Sequence, residues 1–440
     1  MKTAPDLYYD LSEIKDISPK MKEATGLTRS LLEVGKALYN SNLKVAFICF
    51  DNKTGLHSKV DAKLFFQCPT LIEKQQILGK REKVRSLQKE GLSFFRRSFR
   101  QLKNQSDLVI LSLAPPAKGL IHHEDADLTL APVLSLGSVK TLSRFLHCFT
   151  NPSKDIEVFG MIHDLSPLRM GDQDKSCHLD WKDYLDNILK SPIKLLSNSQ
   201  FTARDVIAYA KQNRLPNPTN ISTCHLAHEF SIESKASLLS RGQTKPYFLM
   251  VGDVWGRKNG KLVFKALDYL KKHYPDIPVP HLVCAGQFCK NTLEKLTEEI
   301  IDKEVLATTT FVQAPSQSEL KKLYENAELL IYPSLYEGYG LPVGEALWHG
   351  TPVMASNATS IPEVADNYVT YFDPEIPEEL AELLVNYTLN PHPYKDRVPP
   401  RSKLRTWEKV TFEIWDTISK HSKYHHLNEE NNKSKSTLTV

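Results

Sequence analysis

Apolar runs and amphipathic stretches alternate along the second half of the chain. The apolar runs predict strands, and stretches whose hydrophobic residues recur every three or four positions predict helices. The predicted strands are 247–253, 281–286, 308–312, 329–332, 352–356 and 368–372, and the predicted helices are 259–272, 291–303, 316–327, the stretch after 340, and 377–389. Repeated strand–helix units of this size predict a parallel, doubly wound α/β sheet.

The first half shows a weaker version of the same alternation. Its predicted strands are 7–12, 44–50, 106–113, 157–165 and 193–199, and its predicted helices are 27–40, 139–149, 178–190 and 201–213. A last helix is predicted over 401–421. This half therefore predicts a second α/β domain.

A chain of 440 residues is too long for one small core, so two domains are expected. The predicted parts are an N-terminal domain over 1–228, a polar linker over 229–245, a C-terminal domain over 246–400, a last helix over 401–422 and a disordered tail over 423–440. The polar composition of the tail explains its assignment as disordered.

Composition excludes several classes of protein. The net charge of +4 is too small to indicate nucleic acid as a partner. No run of about eighteen apolar residues predicts a membrane span, and the N-terminus has no apolar signal core, so a cytoplasmic protein is expected. The seven cysteines are an odd number without a C-x-x-C motif, and therefore neither a disulfide framework nor a metal site is expected.

The strongest candidate chemistry lies between 328 and 364. Glu337 and Glu345 stand eight positions apart, the first in a Gly-rich turn after an apolar run and the second in the following helix. Pro342 suits the first helical turn, and the free N–H groups there favour an anion. Ligands bind at this end of strands in open α/β sheets. A phosphate beside the turn and hydroxyls beside the acids suggest a sugar nucleotide.

This stretch closely resembles the donor-site signature of the retaining GT-B glycosyltransferases of glycosyltransferase family 4 (glycosyl transferases group 1). The family pattern is an acid, seven residues and a Glu, here Glu337-GYGLPVG-Glu345. The resemblance implies that Glu337 lies against the donor sugar and its reacting face, and that Glu345 accepts hydrogen bonds from the ribose. It implies that the backbone at Tyr339, Gly340 and Leu341 holds the distal phosphate and sugar. The alternative is a helix N-terminus with an acid in its first turn and another on a solvated face.

The resemblance also implies the GT-B fold: two Rossmann-like doubly wound parallel-sheet domains with an interdomain cleft. The donor nucleotide would lie mainly on the C-terminal domain and the acceptor on the N-terminal one. Transfer would be independent of a metal and would retain the anomeric configuration.

A second motif, GDVWGRKNG at 252–260, follows a predicted strand and opens a helix. Arg257 and Lys258 can neutralise a diphosphate, and Asn259 is expected to cap the helix. The motif is similar to the family's phosphate-binding Arg-Lys pair, although Asp253 stands where many members carry Arg. A basic surface turn is the alternative reading.

Three further segments resemble parts of the family site. His163 and Asp164 belong to HDLSPL at 163–168, which looks like the segment whose His faces the donor sugar. Ser199 lies in the segment after the next strand, where capping of a helix would also explain it. Gly26 lies in what looks like the first Gly-containing loop, which approaches the phosphate or acceptor. A His at a strand end is otherwise usually structural.

Residues 74–103 carry ten Lys or Arg and two Glu, with apolar residues at helical spacing. A basic amphipathic helix can lie on an anionic membrane, and peripheral membrane contact would suit a lipid-linked acceptor. An insertion helix with a solvated basic face explains the pattern equally well, and RNA binding is a weaker third reading.

The sequence as a whole predicts a glycosyltransferase that moves a hexose-type sugar from a UDP- or GDP-linked donor to a glycan or lipid-linked acceptor. No cofactor is expected beyond the donor substrate. A GT-B sugar-nucleotide epimerase and a non-catalytic sugar-nucleotide-binding protein remain alternatives. The hypothesis requires Glu337 and Glu345 to face Arg257 and Lys258 across a gap wide enough for a pyrophosphate.

Overall fold

The computed structural model describes residues 4–16, 26–51, 56–68, 73–75, 78, 125–150, 155–170, 175–218, 220–230, 246–288, 292–298 and 302–424. The predicted strand at 106–113 lies outside the described residues. So do most of the basic stretch 74–103, most of the linker 229–245 and most of the tail 423–440. The chain divides into two compact units, the first comprising 1–160, 191–193 and 418–440 and the second 161–190 and 194–417. This division does not test the predicted domain boundaries, which stay a prediction.

The first unit contains a mostly parallel sheet in the order β3-β2-β1-β4-β5, in which only the β2–β3 pair is antiparallel among the described strands. The strands are β1 (Leu7–Asp10), β2 (Val45–Asp51), β3 (Leu56–Lys59), β4 (Val133–Ser135) and β5 (Val158–Ile162), of which β5 continues into the second unit. The helices are α1 (Ser12–Asp16), α2 (Gly26–Asn40), α3 (Ala62–Gln67) and α4 (Val139–Leu142), followed by a 3₁₀ helix at Ser143–Thr150. The sequence pattern did not predict β3 and β4, which are too short to show a period.

The second unit contains a parallel sheet of six described strands in the order β10-β9-β8-β11-β12-β13. It also contains β6 and β7, which pair in parallel and follow β5 in the strand order of the other sheet. The strands are β6 (Lys194–Ser197), β7 (Ser222–Thr223), β8 (Phe248–Val251), β9 (Leu282–Gly286), β10 (Thr309–Gln313), β11 (Leu329–Tyr332), β12 (Val353–Ser356) and β13 (Thr370–Phe372). The central strands are buried along their length, which explains their continuous apolar sequence.

Helices connect these strands, and the longer ones lie where the sequence pattern predicts them. They are α5 (Ser166–Arg169), α6 (Lys175–Leu189), α7 (Gln200–Gln212), α8 (Gly260–His273), α9 (Thr292–Glu298), α10 (Lys303–Ala307), α11 (Gln317–Asn326), α12 (Leu341–Trp348), α13 (Ile361–Ala365), α14 (Pro377–Leu389), α15 (His392–Lys395) and α16 (Trp407–His421). Phe264 and Leu267 of α8 and Leu380 and Leu384 of α14 belong to one buried core. Both units therefore have parallel α/β sheets, and the predicted fold class is confirmed.

The prediction of a last helix over 401–421 is wrong at its start, because α16 begins at Trp407. Residues 401–403 form a 3₁₀ turn after Pro400, and the backbone of Arg405 bonds to another segment instead of continuing a helix. The short helix α13 was not predicted between β12 and β13. Its five residues are too few to show a helical period in the sequence.

Arg405 fastens this C-terminal segment to the chain after β7. Its guanidinium donates to the carbonyls of His225 (2.9 Å) and Leu226 (3.2 Å) and pairs with Glu413. Its backbone N–H donates to Nδ1 of His228 (3.0 Å), and its carbonyl accepts from the His228 N–H (3.0 Å). The two segments therefore bond to each other through both main chain and side chains.

The described residues contain neither a membrane-spanning helix nor a metal-binding cluster. Each helix there is too short or too polar to cross a lipid bilayer. That part of the chain also holds no group of three His, Cys, Asp or Glu side chains arranged for a metal ion.

A capping box formed by Ser316 and Glu319 orders the start of α11. Ser316 Oγ accepts from the Glu319 N–H (3.2 Å), and Glu319 Oε2 accepts from the Ser316 N–H (2.8 Å). Ser316→Ala should lower the free energy of unfolding by about 1 kcal/mol, measured by urea denaturation. Ser318→Ala, at an exposed position of the same helix, should not destabilise the protein, because Ala favours helix more than Ser. Equal losses in both variants would contradict the capping role.

Candidate functional site

Two loops of the second unit meet at one edge of its sheet. Strands β8 and β11 pair in parallel, so the loops that follow them begin at the same edge. The loop after β8 contains a 3₁₀ turn at Gly256–Lys258. The carbonyl of Arg257 accepts from the Leu335 N–H (2.8 Å) and from Ser334 Oγ (3.0 Å). These bonds hold the basic turn against the loop after β11.

Glu337 forms ion pairs with both cations of the basic turn. Its Oε2 lies 2.8 Å from Nη1 of Arg257, and its Oε1 lies 2.6 Å from Nζ of Lys258. Ser334 Oγ also donates to Oε1 (2.5 Å), and Lys258 Nζ donates to the Tyr332 hydroxyl (2.8 Å). The structure thus brings Glu337, Arg257 and Lys258 together at contact distance rather than across a gap.

The carboxylate of Glu337 is buried, with 8% of its side chain exposed. Burial by itself would raise the pKa of Glu337, but the positive charges of Lys258 and Arg257 outweigh this effect and lower the pKa to about 2. Arg257 and Lys258 remain 33% and 21% exposed, respectively. The group therefore presents cations to solvent and keeps a fixed carboxylate behind them.

Asn259 does not cap α8 through its side chain, which corrects the sequence prediction. The residue occupies the position before the helix in the left-handed region (φ 54°). Its Nδ2 donates instead to the carbonyls of Pro333 (3.2 Å) and Pro374 (2.8 Å). The amide therefore ties the basic turn to two neighbouring loops.

Glu345 lies in α12, and no contact with the cations of the basic turn is found among its described interactions. Its Oε2 accepts a hydrogen bond from the buried Tyr324 hydroxyl (2.9 Å), and only 2% of the residue is exposed. A Cβ at the neighbouring Gly344 would lie 3.1 Å from His228 Cα, so His228 fills the space beside the helix. The ribose-binding role of Glu345 stays a prediction.

The turn before α12 has the backbone that its glycines suggested. Gly340 adopts a φ of 102°, and α12 begins at Leu341, where helix geometry leaves the first N–H groups without intrahelical partners. The Tyr339 hydroxyl is buried and donates to the Leu226 carbonyl (2.7 Å). Ser360 Oγ donates to the carbonyls of Glu337 and Tyr339. Phosphate binding by this backbone stays a prediction.

The His163 segment packs directly on the loop that carries Glu337. A Cβ at Gly338 would lie 1.8 Å from the His163 carbonyl oxygen and 2.7 Å from Asp164 Cβ. Ser199 Oγ donates to the Gly338 carbonyl (2.6 Å), and Thr202 Oγ1 donates to the same oxygen (3.2 Å). Close approach of two main chains therefore explains a glycine at 338.

Asp164 and Ser199 both have local structural roles in this contact. The Asp164 carboxylate accepts from the N–H (2.9 Å) and the hydroxyl (2.7 Å) of Ser166. Ser199 caps α7 by accepting from the Thr202 N–H (3.0 Å), as the alternative reading predicted. His163 is half-buried at the end of β5. Ligand roles for these residues stay predictions.

Gly26 belongs to the first unit. It opens α2 with a φ of 49°, and a Cβ there would meet no atom within 4 Å. The turn conformation therefore accounts for glycine at this position, and its predicted approach to the phosphate or acceptor stays a prediction.

Sequence reasoning missed the residues that hold the acids in place. Tyr332 and Ser334 contact Lys258 and Glu337, and Thr359 Oγ1 accepts from the Glu337 N–H (3.0 Å). Ser334 offered a signal, since it stands three positions before Glu337 in a tight loop. Thr359 offered none, because only the folded chain brings it close.

The close contact at position 338 can be tested by substitution. Gly338→Ala should lower the free energy of unfolding by about 3 kcal/mol or more, because a main chain must move. Gly350→Ala is the matched control, since Gly350 has a φ of 80° but open space around its Cβ. It should cost only about 1–2 kcal/mol. Chemical denaturation measures both, and equal losses would contradict the steric explanation.

The lowered pKa of Glu337 predicts a pH-dependent stability. Because the folded value of about 2 lies below the ordinary 4.5, the stabilisation is complete above about pH 4.5 and disappears as the pH falls towards 2. It amounts to about 3 kcal/mol. The difference in unfolding free energy between the wild type and Glu337→Gln should therefore shrink from pH 6 to pH 3. A constant difference over this range would show that the carboxylate is not stabilised by the cations.

Part of the chain is similar to known proteins. Residues 232–402 match the family model "Glycosyl transferases group 1". The O-antigen chain mannosyltransferase RfbU of Salmonella typhimurium is 27% identical over 214 residues, which cover 49% of this chain and 56% of RfbU. The serotype-specific mannosyltransferase WbdA of Escherichia coli is 27% identical over 256 residues, which cover 54% of this chain and 31% of WbdA. The chain thus spans about half or less of the length of these relatives.

Solved structures show the same fold at low sequence identity. HepE of Anabaena, crystallised with UDP and glucose, is similar with a TM-score of 0.55 and 12% identity over 99% of this chain and 100% of that one. Sucrose-phosphate synthase of Thermosynechococcus elongatus has a TM-score of 0.54 and 14% identity over 94% and 98%. The predicted GT-B fold and the recognition of a GT-B glycosyltransferase are confirmed, and residues 232–402 are the part of the chain that matches the model of glycosyl transferases group 1.

Proposed function

We propose that this protein transfers a hexose-type sugar from a nucleoside-diphosphate sugar to a glycan or lipid-linked acceptor in polysaccharide or glycoconjugate biosynthesis. The contact of Glu337 with Arg257 and Lys258 carries the proposal. A carboxylate able to bind sugar hydroxyls and two cations able to bind a diphosphate lie together at the carboxyl ends of β8 and β11. Ligands of open α/β sheets bind at this edge.

The exposed parts of Arg257 and Lys258 suit the chemistry of the leaving group. As the bond to the sugar breaks, negative charge develops on the diphosphate, and fixed positive charges stabilise it. Hydrogen bonds through Tyr332, Ser334 and the main chain hold these groups before the substrate arrives. The N–H groups at the start of α12 would add to the binding of the distal phosphate.

The relatives favour mannose as the transferred sugar, because RfbU and WbdA are both named mannosyltransferases. The base of the donor stays open between uracil and guanine. Retention of the anomeric configuration, by a front-face mechanism, belongs to the proposal through the resemblance to glycosyltransferase family 4. We assign His163, which would face the donor sugar, as a catalytic residue beside Glu337, and we assign Gly26, Asp164 and Ser199 to the acceptor or phosphate loop. We also propose a cytoplasmic location with peripheral membrane contact through 74–103.

Two alternatives share the fold. A GT-B sugar-nucleotide epimerase would convert the donor without an acceptor, and a non-catalytic protein would bind it unchanged. Product analysis of GDP-mannose, UDP-glucose and UDP-N-acetylglucosamine, with and without added glycan acceptor, separates the three functions. A thermal-shift screen with the same donors identifies the preferred one, because a bound ligand raises the melting temperature.

Lys258→Ala should reduce transfer at least about 100-fold, because one of the two charges that stabilise the leaving diphosphate is lost. Glu337→Ala should abolish transfer as well. Lys265→Ala is the matched control, since it removes the same charge from an exposed position of α8 and should leave transfer unchanged. Release of nucleoside diphosphate from the preferred donor is the measurement. Full activity of folded Lys258→Ala would refute the site assignment.

A further inference from the structure

The carboxylate that faces the donor sugar in the proposed function also neutralises one of the two cations meant for the diphosphate. Arg257, Lys258 and Glu337 form one group with a net charge of +1, whereas the two cations alone would carry +2. We propose that Glu337 acts as an internal counter-ion that weakens binding of the nucleoside diphosphate and so speeds its release as product. This inference rests on the proposed function.

The contacts of Glu337 keep its charge in place. Ser334 Oγ donates to Oε1, the Glu337 N–H donates to Thr359 Oγ1, and Ser360 Oγ donates to its carbonyl. Each carboxylate oxygen also faces its own cation. A diphosphate that approaches from solvent would therefore meet cations already partly neutralised from behind.

The three side chains of this group differ in their exposure to solvent. Glu337 is 8% exposed, while Arg257 is 33% exposed and Lys258 is 21% exposed. The two cations therefore offer more surface to an arriving diphosphate than the carboxylate does. Competition is then a matter of charge, which acts strongly at these short distances in a poorly hydrated site.

Removal of Glu337 should therefore tighten the binding of the diphosphate. A buried charge that loses its partner is strongly destabilising, and an arriving anion removes that penalty, so the penalty appears as extra affinity. Weaker binding of the diphosphate in the wild type would in turn speed its release as product. Release of product limits many enzymes, and affinity changes within one site are expressed mostly in the dissociation rate.

The test measures the dissociation constants of GDP, UDP and inorganic pyrophosphate by isothermal titration calorimetry. Glu337→Gln should bind the preferred diphosphate about tenfold more tightly than the wild type, a change of about 1.4 kcal/mol, and dissociate it more slowly in stopped-flow measurements. Glu328→Gln is the matched control, because it removes the same charge just before β11, at the opposite end of the strand. It should bind like the wild type.

Glu337→Asp provides a second variant in case the Gln variant does not fold. It keeps the charge but shortens its reach to the cations, so its affinity should lie between the wild type and Glu337→Gln. Unchanged or weaker binding in the folded variants would overturn the inference, and so would equal tightening in Glu328→Gln. If the wild type and Lys258→Ala bind none of the three probes, the proposed function itself fails. If Lys258→Ala alone loses binding and Glu337→Gln gains none, only the counter-ion inference fails.

Discussion

A carboxylate that is almost excluded from water needs other interactions to replace its lost hydration. The buried Glu337 carboxylate forms ion pairs with two cations from a different loop, Arg257 and Lys258. This requirement governs the second unit at the edge of the sheet where β8 and β11 end. The basic turn must follow β8 closely enough for Arg257 and Lys258 to reach the loop after β11. The parallel pairing of β8 with β11 meets that condition, because both loops then start side by side.

Glycines and hydroxyl groups make this arrangement sterically feasible. Gly252 has a φ of 131°, and a Cβ there would press on the Lys258 side chain. Gly338 lets the acidic loop lie against the His163 main chain, where Ser199 donates to its carbonyl. The site is therefore stabilised by main-chain contacts around the ion pairs as much as by the ion pairs themselves. Such support holds charged groups in fixed positions before a substrate binds, which catalysis by charge requires.

The sequence contained enough information for the sheet and for the approach of Glu337 to the basic turn, although it predicted a gap where the structure has direct ion pairs. Continuous apolar strands, a Gly-rich turn and an Arg-Lys pair after a neighbouring strand are local signals. Each of them predicts the position of its own residues in the fold. The partners of Glu345 were not predictable in this way, because Tyr324 lies on the preceding helix and meets it only through packing. Short elements such as β4 and α13 carry too few residues to show a period. Asn259 was assigned to a helix cap because its side chain can serve that role, but tertiary carbonyls compete for the same amide.

The hydrogen bonds of Arg405 to the segment after β7 have a practical consequence for work on isolated fragments. The family match ends at residue 402, yet Arg405 bonds to four residues of the segment after β7. Trp407 also donates to Glu229 through both its main chain and its indole. A fragment cut at the family limit would leave these acceptors without their donors and would lose α16, whose Val410 and Ile414 are buried. Fragments meant to isolate the six-stranded sheet should therefore retain both the chain from β7 onward and the residues through the end of α16.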